Sequence, residues 1–239
     1  MTTALIFAGG TGQRMNARAK PKQFLELHGK PVIMYTLEHF EFHPEIDNIV
    51  VVCIESWITE MKHLLRQYAF EKVSLIVPGG REGFDSIFNG LQALEGKCER
   101  DDIILIHDGV RPLISSELIS ANIETVKEKG TAITVEASVE SAVRLDTDGK
   151  IVEVPPRAMM YTAKAPQSFR YGFIWDLYQK ARAEKISMID SAHLCSVFGI
   201  ETHTVVSTPN NMKITSPTDY YIFRALYESM ENEQIFGIR

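Results

Sequence analysis

Three cysteines in 239 residues, Cys53, Cys98 and Cys195, are too few and too scattered for a disulfide framework, and no CxxC pair is present to hold a structural metal. Reduced thiols are expected, with the cytoplasm as the default compartment. No apolar run approaches 18 residues, so a membrane-spanning helix is not expected. The opening MTTALIFAGG has neither a basic start nor a small-residue cleavage site, so it does not read as a secretion signal. Basic residues are also in deficit. Lys plus Arg number 25 against 31 Asp plus Glu, a net charge of −6, which excludes a broad cationic field for duplex nucleic acid. An anionic ligand would have to be held by local cations or a metal. Repeats and low-complexity stretches are lacking too. With 45% apolar and 23% charged residues the composition is globular, and the length suits one domain, residues 1–239, with room for an appendage.

What is present is an alternation of short apolar runs with helical stripes. Residues 4–8 form a continuous apolar run that ends in glycines, as a buried parallel strand feeding a glycine loop would. Ile33, Leu37 and Phe40 then recur at helical spacing, followed by an apolar run at 49–54 and a second stripe of Trp57, Met61, Leu64, Leu65 and Tyr68. Further strands are expected at 73–77, 103–106 and 131–135, with helix stripes around Leu91 and Ile119 between them. Repeated βα units predict an α/β fold with a mostly parallel sheet, helices on both faces, and ligands at the carboxyl ends of the strands. Between 138 and 161 the pattern changes to polar–apolar alternation around Asp148-Gly149, a hairpin signal, so this segment is expected to protrude as a β-arm. Ser216-Pro217-Thr218-Asp219 supplies a hydroxyl cap, a first-turn proline and an acid, so a last helix should begin there.

The chemistry is concentrated at Gly9-Gly10-Thr11-Gly12-Gln13-Arg14-Met15 and the following Lys20-Pro21-Lys22-Gln23-Phe24. Glycines let backbone N–H groups approach a polyphosphate, and Arg14 and Lys22 add fixed positive charge. No GK[ST] closes the loop, so it is not a Walker loop; Met15 occupies the third glycine position of GxGxxG, and the second strand closes without the acid that a nicotinamide site uses. A tight turn with solvated lysines is the plain structural alternative. Asp108 follows the run at 103–106, where a carboxylate suits a hard cation bridging phosphate oxygens, or else a turn. His107 has no second His or Cys at metal spacing and is expected to orient a loop by hydrogen bonding. Asp190 reads first as a helix cap.

GGTGQRM followed by PKQF resembles the signature of the sugar-alcohol phosphate cytidylyltransferases, which include methylerythritol-phosphate and ribitol-phosphate enzymes. The resemblance continues in family order through Pro78-Gly79-Gly80 with Asp85-Ser86, His107 to Pro112, Ala165 to Phe169 and Asn211 to Thr215. It implies a Rossmann-like nucleotidyltransferase fold joining CTP and a polyol phosphate to give a CDP-alditol and pyrophosphate. By that resemblance Ala8, Gly9 and Gly10 would bind CTP, Arg14, Lys22 and Lys213 would steady the reacting phosphates, and Gly80 and Ser86 would read the cytosine. Asp108 would hold Mg²⁺ and Arg111 would meet the acceptor. Arg157, on the arm, would reach the acceptor's phosphate in the neighbouring subunit of a homodimer.

The chain departs from that pattern in several places. Gly83 stands where relatives carry an arginine, with Arg81 two residues earlier as a substitute. Ala142 and Ala165 stand where threonines are usual, and Asn210 where methylerythritol-type enzymes have an aspartate. Both types usually keep the threonines, but the ribitol type tolerates loss of the aspartate, and Phe7-Ala8-Gly9-Gly10 and Pro166-Gln167-Ser168-Phe169 resemble it more. The resemblance therefore leans towards a ribitol 5-phosphate-like acceptor for surface polysaccharide, with methylerythritol phosphate of isoprenoid synthesis as the alternative. Lys164, beside Ala165, could add a cation to the acceptor pocket. A nicotinamide oxidoreductase and a non-catalytic nucleotide-binding protein are the competing classes.

Overall fold

The computed structural model describes residues 1–9 and 20–237, with the side chains of 233–236 left aside. Its elements follow one another as β1 (Thr2–Ala8), β2 (Glu26–Leu27), β3 (Lys30–Pro31), α1 (Val32–Glu41), β4 (Asn48–Cys53), α2 (Ile58–Gln67), β5 (Val73–Pro78), α3 (Gly83–Ala93) and β6 (Ile103–Asp108). Then come α4 (Ser116–Lys129), β7 (Thr131–Ala137), β8 (Arg144–Leu145), β9 (Ile151–Glu153), β10 (Tyr161–Arg170), α5 (Tyr171–Ala183), α6 (Ser191–Val197), β11 (Thr204–Val206) and α7 (Pro217–Phe236).

Seven strands make the main sheet in the order β11-β7-β10-β6-β1-β4-β5. β10 alone runs antiparallel to its neighbours β6 and β7; the other pairings in this sheet are parallel. β1 and β4 are apolar nearly throughout because helices cover both faces of a parallel sheet. The pleat divides the core: Ala4, Ile6, Val51 and Leu105 pack with α1, α2 and α4, while Leu5, Val50, Val52 and Ile104 pack with α3, α5 and α6. A third cluster joins Val32 and Tyr35 to Phe223 of α7.

After β1 the chain builds outward through β4 and β5, then returns to lay β6 on the other side of β1. The carboxyl ends of β1 and β6 therefore flank the point where strand order reverses, and ligands of such sheets bind in the crevice there. Phe7 stands opposite Asp108 across this pair, and Gly109 N–H donates to the Phe7 carbonyl at 3.0 Å.

Between β7 and β10 the chain leaves the main sheet. Asp146 organises the hairpin turn, its Oδ1 accepting from the N–H groups of Asp148 and Lys150, with Gly149 at a left-handed φ of 81°. The excursion covers 138–160, and Tyr161 is already back in the main sheet opposite Ala137. α7 begins as its sequence signals: Asp219 Oδ2 accepts from Thr215 and Ser216 N–H groups, and Asp219 N–H donates to Ser216 Oγ.

Candidate active site

The glycine corner is held by close backbone approach. β1 ends at Ala8, whose carbonyl accepts from the buried Gln23 side chain at 2.6 Å, tying the Lys22–Phe24 turn to the sheet. Phe24 beside it stacks on Trp57, ring centroids 4.4 Å apart. A β-carbon on Gly9 would fall 2.8 Å from Ser86 Oγ and 3.4 Å from Gly79 Cα, and one on Gly80 would fall 2.1 Å from Asp85 Cβ. Only glycine fits either position. Gly80 N–H donates to Ser86 Oγ at 3.1 Å, and that hydroxyl donates to the Glu82 carbonyl at 3.0 Å. The Ser86 oxygen keeps one acceptor lone pair for a ligand. Gly10 and Arg14 lie outside the described residues.

Beside this corner is a cluster of charges. Asp108, expected just after a strand, is the last residue of β6 and is buried. Its Oδ2 accepts from Arg111 Nε at 2.7 Å and its Oδ1 lies 2.6 Å from Lys213 Nζ. Burial alone would raise the Asp108 carboxyl, but the Lys213 and Arg111 charges outweigh it and hold the group well below the usual carboxylate range. Arg111 is also buried, and its Nη1 donates to the Asn211 carbonyl at 2.8 Å. Asn211 Nδ2 donates to the Ala165 carbonyl at 2.7 Å, and Ile214 N–H donates to Val110 at 2.9 Å, so Lys213 is bracketed by two fixed residues.

A cleft of about 330 Å³ opens here, lined by Phe7, Gly83, Asp108, Arg111, Lys164, Ala165, Asp190 and Lys213 among others. Lys164 pairs with Glu136 of β7. Asp190 accepts from His193 N–H at 2.8 Å, the cap expected of it, while also lining the cleft. Arg81 is exposed in the turn before α3. Arg157 does not line this cleft; it is exposed on the arm, 3.5 Å from the Val139 carbonyl. The structure thus groups Gly9, Gly80 and Ser86 in one corner and Asp108, Arg111 and Lys213 in the next, and leaves Arg157 apart.

His107 is structural, as expected: it is fully buried, its ring centroid is 5.1 Å from that of Phe40, and its polar contact among the described residues is with the backbone of Arg111 in the loop after β6. Burial lowers its pKa to about 3, so it is a neutral packing residue. Gln23 and Asn211 carry no such chemical signal in sequence. Their roles depend on carbonyls of Ala8, Ala165 and Arg111's guanidinium, which only the fold brings to them.

Among the described residues no three His, Cys, Asp or Glu side chains converge as a metal site. Both Asp108 oxygens are already engaged, one by Arg111 and one by Lys213, so a cation would have to displace one of these partners to reach this carboxylate. No described helix is long and apolar enough to cross a membrane.

A sheet with this switch point, a glycine corner and clustered cations beside it define a nucleotidyltransferase rather than a nicotinamide oxidoreductase, and comparison with known proteins agrees. Residues 2–229 match the family described as 2-C-methyl-D-erythritol 4-phosphate cytidylyltransferase (IspD), and the chain belongs to that family. It is 47% identical to a ribitol-5-phosphate cytidylyltransferase of Vibrio parahaemolyticus, over 99% of this chain and 100% of that one. It is 45% identical to a protein of the same name from Streptococcus agalactiae serotype Ia over the whole of both chains. A 2-C-methyl-D-erythritol 4-phosphate cytidylyltransferase of Geotalea uraniireducens is 37% identical over 97% of this chain and 99% of that one. The crystal structure of 4-diphosphocytidyl-2C-methyl-D-erythritol synthase from Anaerococcus prevotii superposes with a TM-score of 0.84 at 28% identity, covering 95% of this chain and 96% of that one.

Proposed function

We propose that this cytidylyltransferase joins CTP to ribitol 5-phosphate, giving CDP-ribitol for surface polysaccharide or teichoic acid and releasing pyrophosphate. The observation that carries the choice of acceptor is the full-length identity of 45% and 47% to ribitol-5-phosphate cytidylyltransferases, against 37% for the Geotalea methylerythritol enzyme.

In this reading an oxygen of the acceptor's phosphate attacks the α-phosphorus of CTP, the new O–P bond forms, and the bond to the β-phosphate breaks with pyrophosphate taking the electron pair. The protein's task is alignment and neutralisation of charge. The glycine corner at Gly9 and Gly80 approaches the nucleotide without side chains in the way, and the spare lone pair of Ser86 can accept from the cytosine amino group. Arg14, Lys22 and Lys213 steady the charge growing on the α-phosphate. Asp108 keeps Lys213 and Arg111 aimed into one cleft, where Arg111 meets the acceptor. Magnesium, when bound with the triphosphate, supplies further neutralisation of its oxygens.

The active form in this reading is a homodimer joined through the arm, with Arg157 entering the partner's cleft. Its support is that Arg157 does not reach its own cleft and that Val139, Ile151 and Met159 of the arm stand exposed, Val139 at 82%. A cytoplasmic location suits free thiols at Cys53, Cys98 and Cys195. The test is pyrophosphate release with each nucleoside triphosphate crossed against ribitol 5-phosphate, glycerol 3-phosphate and methylerythritol phosphate. Turnover confined to CTP with ribitol 5-phosphate is expected; a preference for methylerythritol phosphate would move the chain to the isoprenoid reaction.

A further inference from the structure

Lys164 sits where β10 loses step with β7. Ala163 stands opposite Val135 and Gln167 opposite Ile133, so four steps along β10 match two along β7. The residues between are released from the ladder, and Ala163, Lys164 and Ala165 all line the cleft, which three consecutive residues of a regular strand cannot do. Lys164 thereby borders both this cleft, between two small residues, and the cavity at the root of the arm where Glu136 meets its ammonium.

That ammonium is costly to keep there. The Lys164 side chain is only 15% exposed, and its polar partner among the described residues is Glu136, itself 23% exposed. Drawing such a pair out of water is not repaid by the pair alone. An ammonium has three donors, so pairing with one carboxylate leaves donors for something that enters the cleft. Glu136 borders the small cavity at the root of the arm, with Ser138 and Val139, and so holds Lys164 at the arm end of the cleft rather than at the Asp108 cluster.

We propose that Lys164, steadied by Glu136, is a specificity-determining residue that reads the hydroxyl chain of the acceptor, favouring the longer, unbranched five-carbon chain of ribitol 5-phosphate over the four-carbon methylerythritol chain, which carries one hydroxyl fewer and a methyl branch. This deepens the ribitol phosphate reading and rests on it. A hydroxyl beside the ammonium accepts a donor that would otherwise be stranded in a half-buried site, whereas a methyl there strands it.

The test is steady-state kinetics of Lys164→Met, Lys164→Arg and Glu136→Gln with ribitol 5-phosphate, methylerythritol phosphate and CTP as varied substrates, alongside melting curves. Lys164→Met is expected to raise the KM for ribitol 5-phosphate by about 10- to 100-fold, the worth of a hydrogen bond to a charged group. The KM for CTP should stay constant and that for methylerythritol phosphate should hold or fall. Glu136→Gln should show a weaker form of the same pattern, and Lys164→Arg should recover part of the loss. Equal effects of Lys164→Met on both acceptors, or on CTP as well, would overturn the proposal. If Lys164→Met melts before it can be assayed, Glu136→Gln decides on the same comparison. A wild-type chain that releases no pyrophosphate from CTP with any alditol phosphate ends both readings; an active wild type with undiminished selectivity in the variants ends only this one.

Discussion

Asp108 Oδ1 lies 2.6 Å from Lys213 Nζ, which fastens the end of β6 to a loop that the chain reaches only just before its last helix. The other oxygen holds Arg111, so one carboxylate sets two cations of the cleft. Asp108→Asn should therefore act twice. It leaves Arg111 buried without its counter-charge, which costs about 3–5 kcal/mol, and it frees Lys213 from its aim. Urea unfolding and pyrophosphate release should both register the change; wild-type stability in the variant would show that Arg111 does not depend on this carboxylate.

Gly9 and Ser86 make a second coupled pair. Gly9→Ala brings a methyl to 2.8 Å from Ser86 Oγ, a clash worth about 1–3 kcal/mol. Ser86→Ala removes that oxygen at the loss of its hydrogen bonds to Gly80 and Glu82. In the double variant the combined destabilisation should be smaller than the two single effects added together. Strict additivity, measured by thermal melts of all four proteins, would mean the corner has room to relax.

Lys22→Ala should lower kcat by about 10²–10³, the loss typical of one preorganised charge stabiliser, with CTP affinity changed far less. Arg157→Ala should instead raise the KM of the acceptor. If the arm crosses between subunits, mixing the two variants should restore part of the activity, because some mixed dimers hold one intact cleft. Mixtures as inactive as their components would confine Arg157 to its own chain.

His107 predicts a pH dependence. Its folded pKa of about 3 lies below its ordinary value of 6.5, so between those values the unfolded chain binds a proton that the folded one refuses. Stability is then full above pH 6.5 and falls as the pH drops towards 3, by about 1.4 kcal/mol per unit at the steepest. Asp108, whose folded pKa is also depressed, adds its own loss only below the ordinary carboxylate range. Urea midpoints between pH 4.5 and 6.5 should thus slope in the wild type and less steeply in His107→Leu, the remainder coming from His39, whose pKa burial also lowers. An unchanged slope would assign the dependence to other groups.

Much of this site is legible in the sequence because chemistry and pattern coincide there. Apolar runs ending in Gly9 and in Asp108 mark strand ends, and the ends of parallel strands are where ligands gather. The capped start of α7 and the arm's turn at Asp146 to Lys150 are written in local residues that act on their own neighbours. Gln23, Asn211 and Glu136 are different. Each works through a partner distant in the chain, and nothing in a single amide or glutamate announces which carbonyl or ammonium it will meet. The depth of His107 is not legible either: its place at a strand end suggests a loop contact, but only the fold shows that Phe40 encloses it completely.

The slip between β10 and β7 adds an even number of residues, and side chains of a strand alternate every second one. Phe169 consequently still enters the core and Ser168 still meets Asn122, as though nothing had been inserted upstream. Ala163 and Lys164, the less buried residues of the irregular stretch, can therefore change without rephasing the buried half of the strand. The lining of the cleft on this side can thereby vary while the scaffold stays in tune.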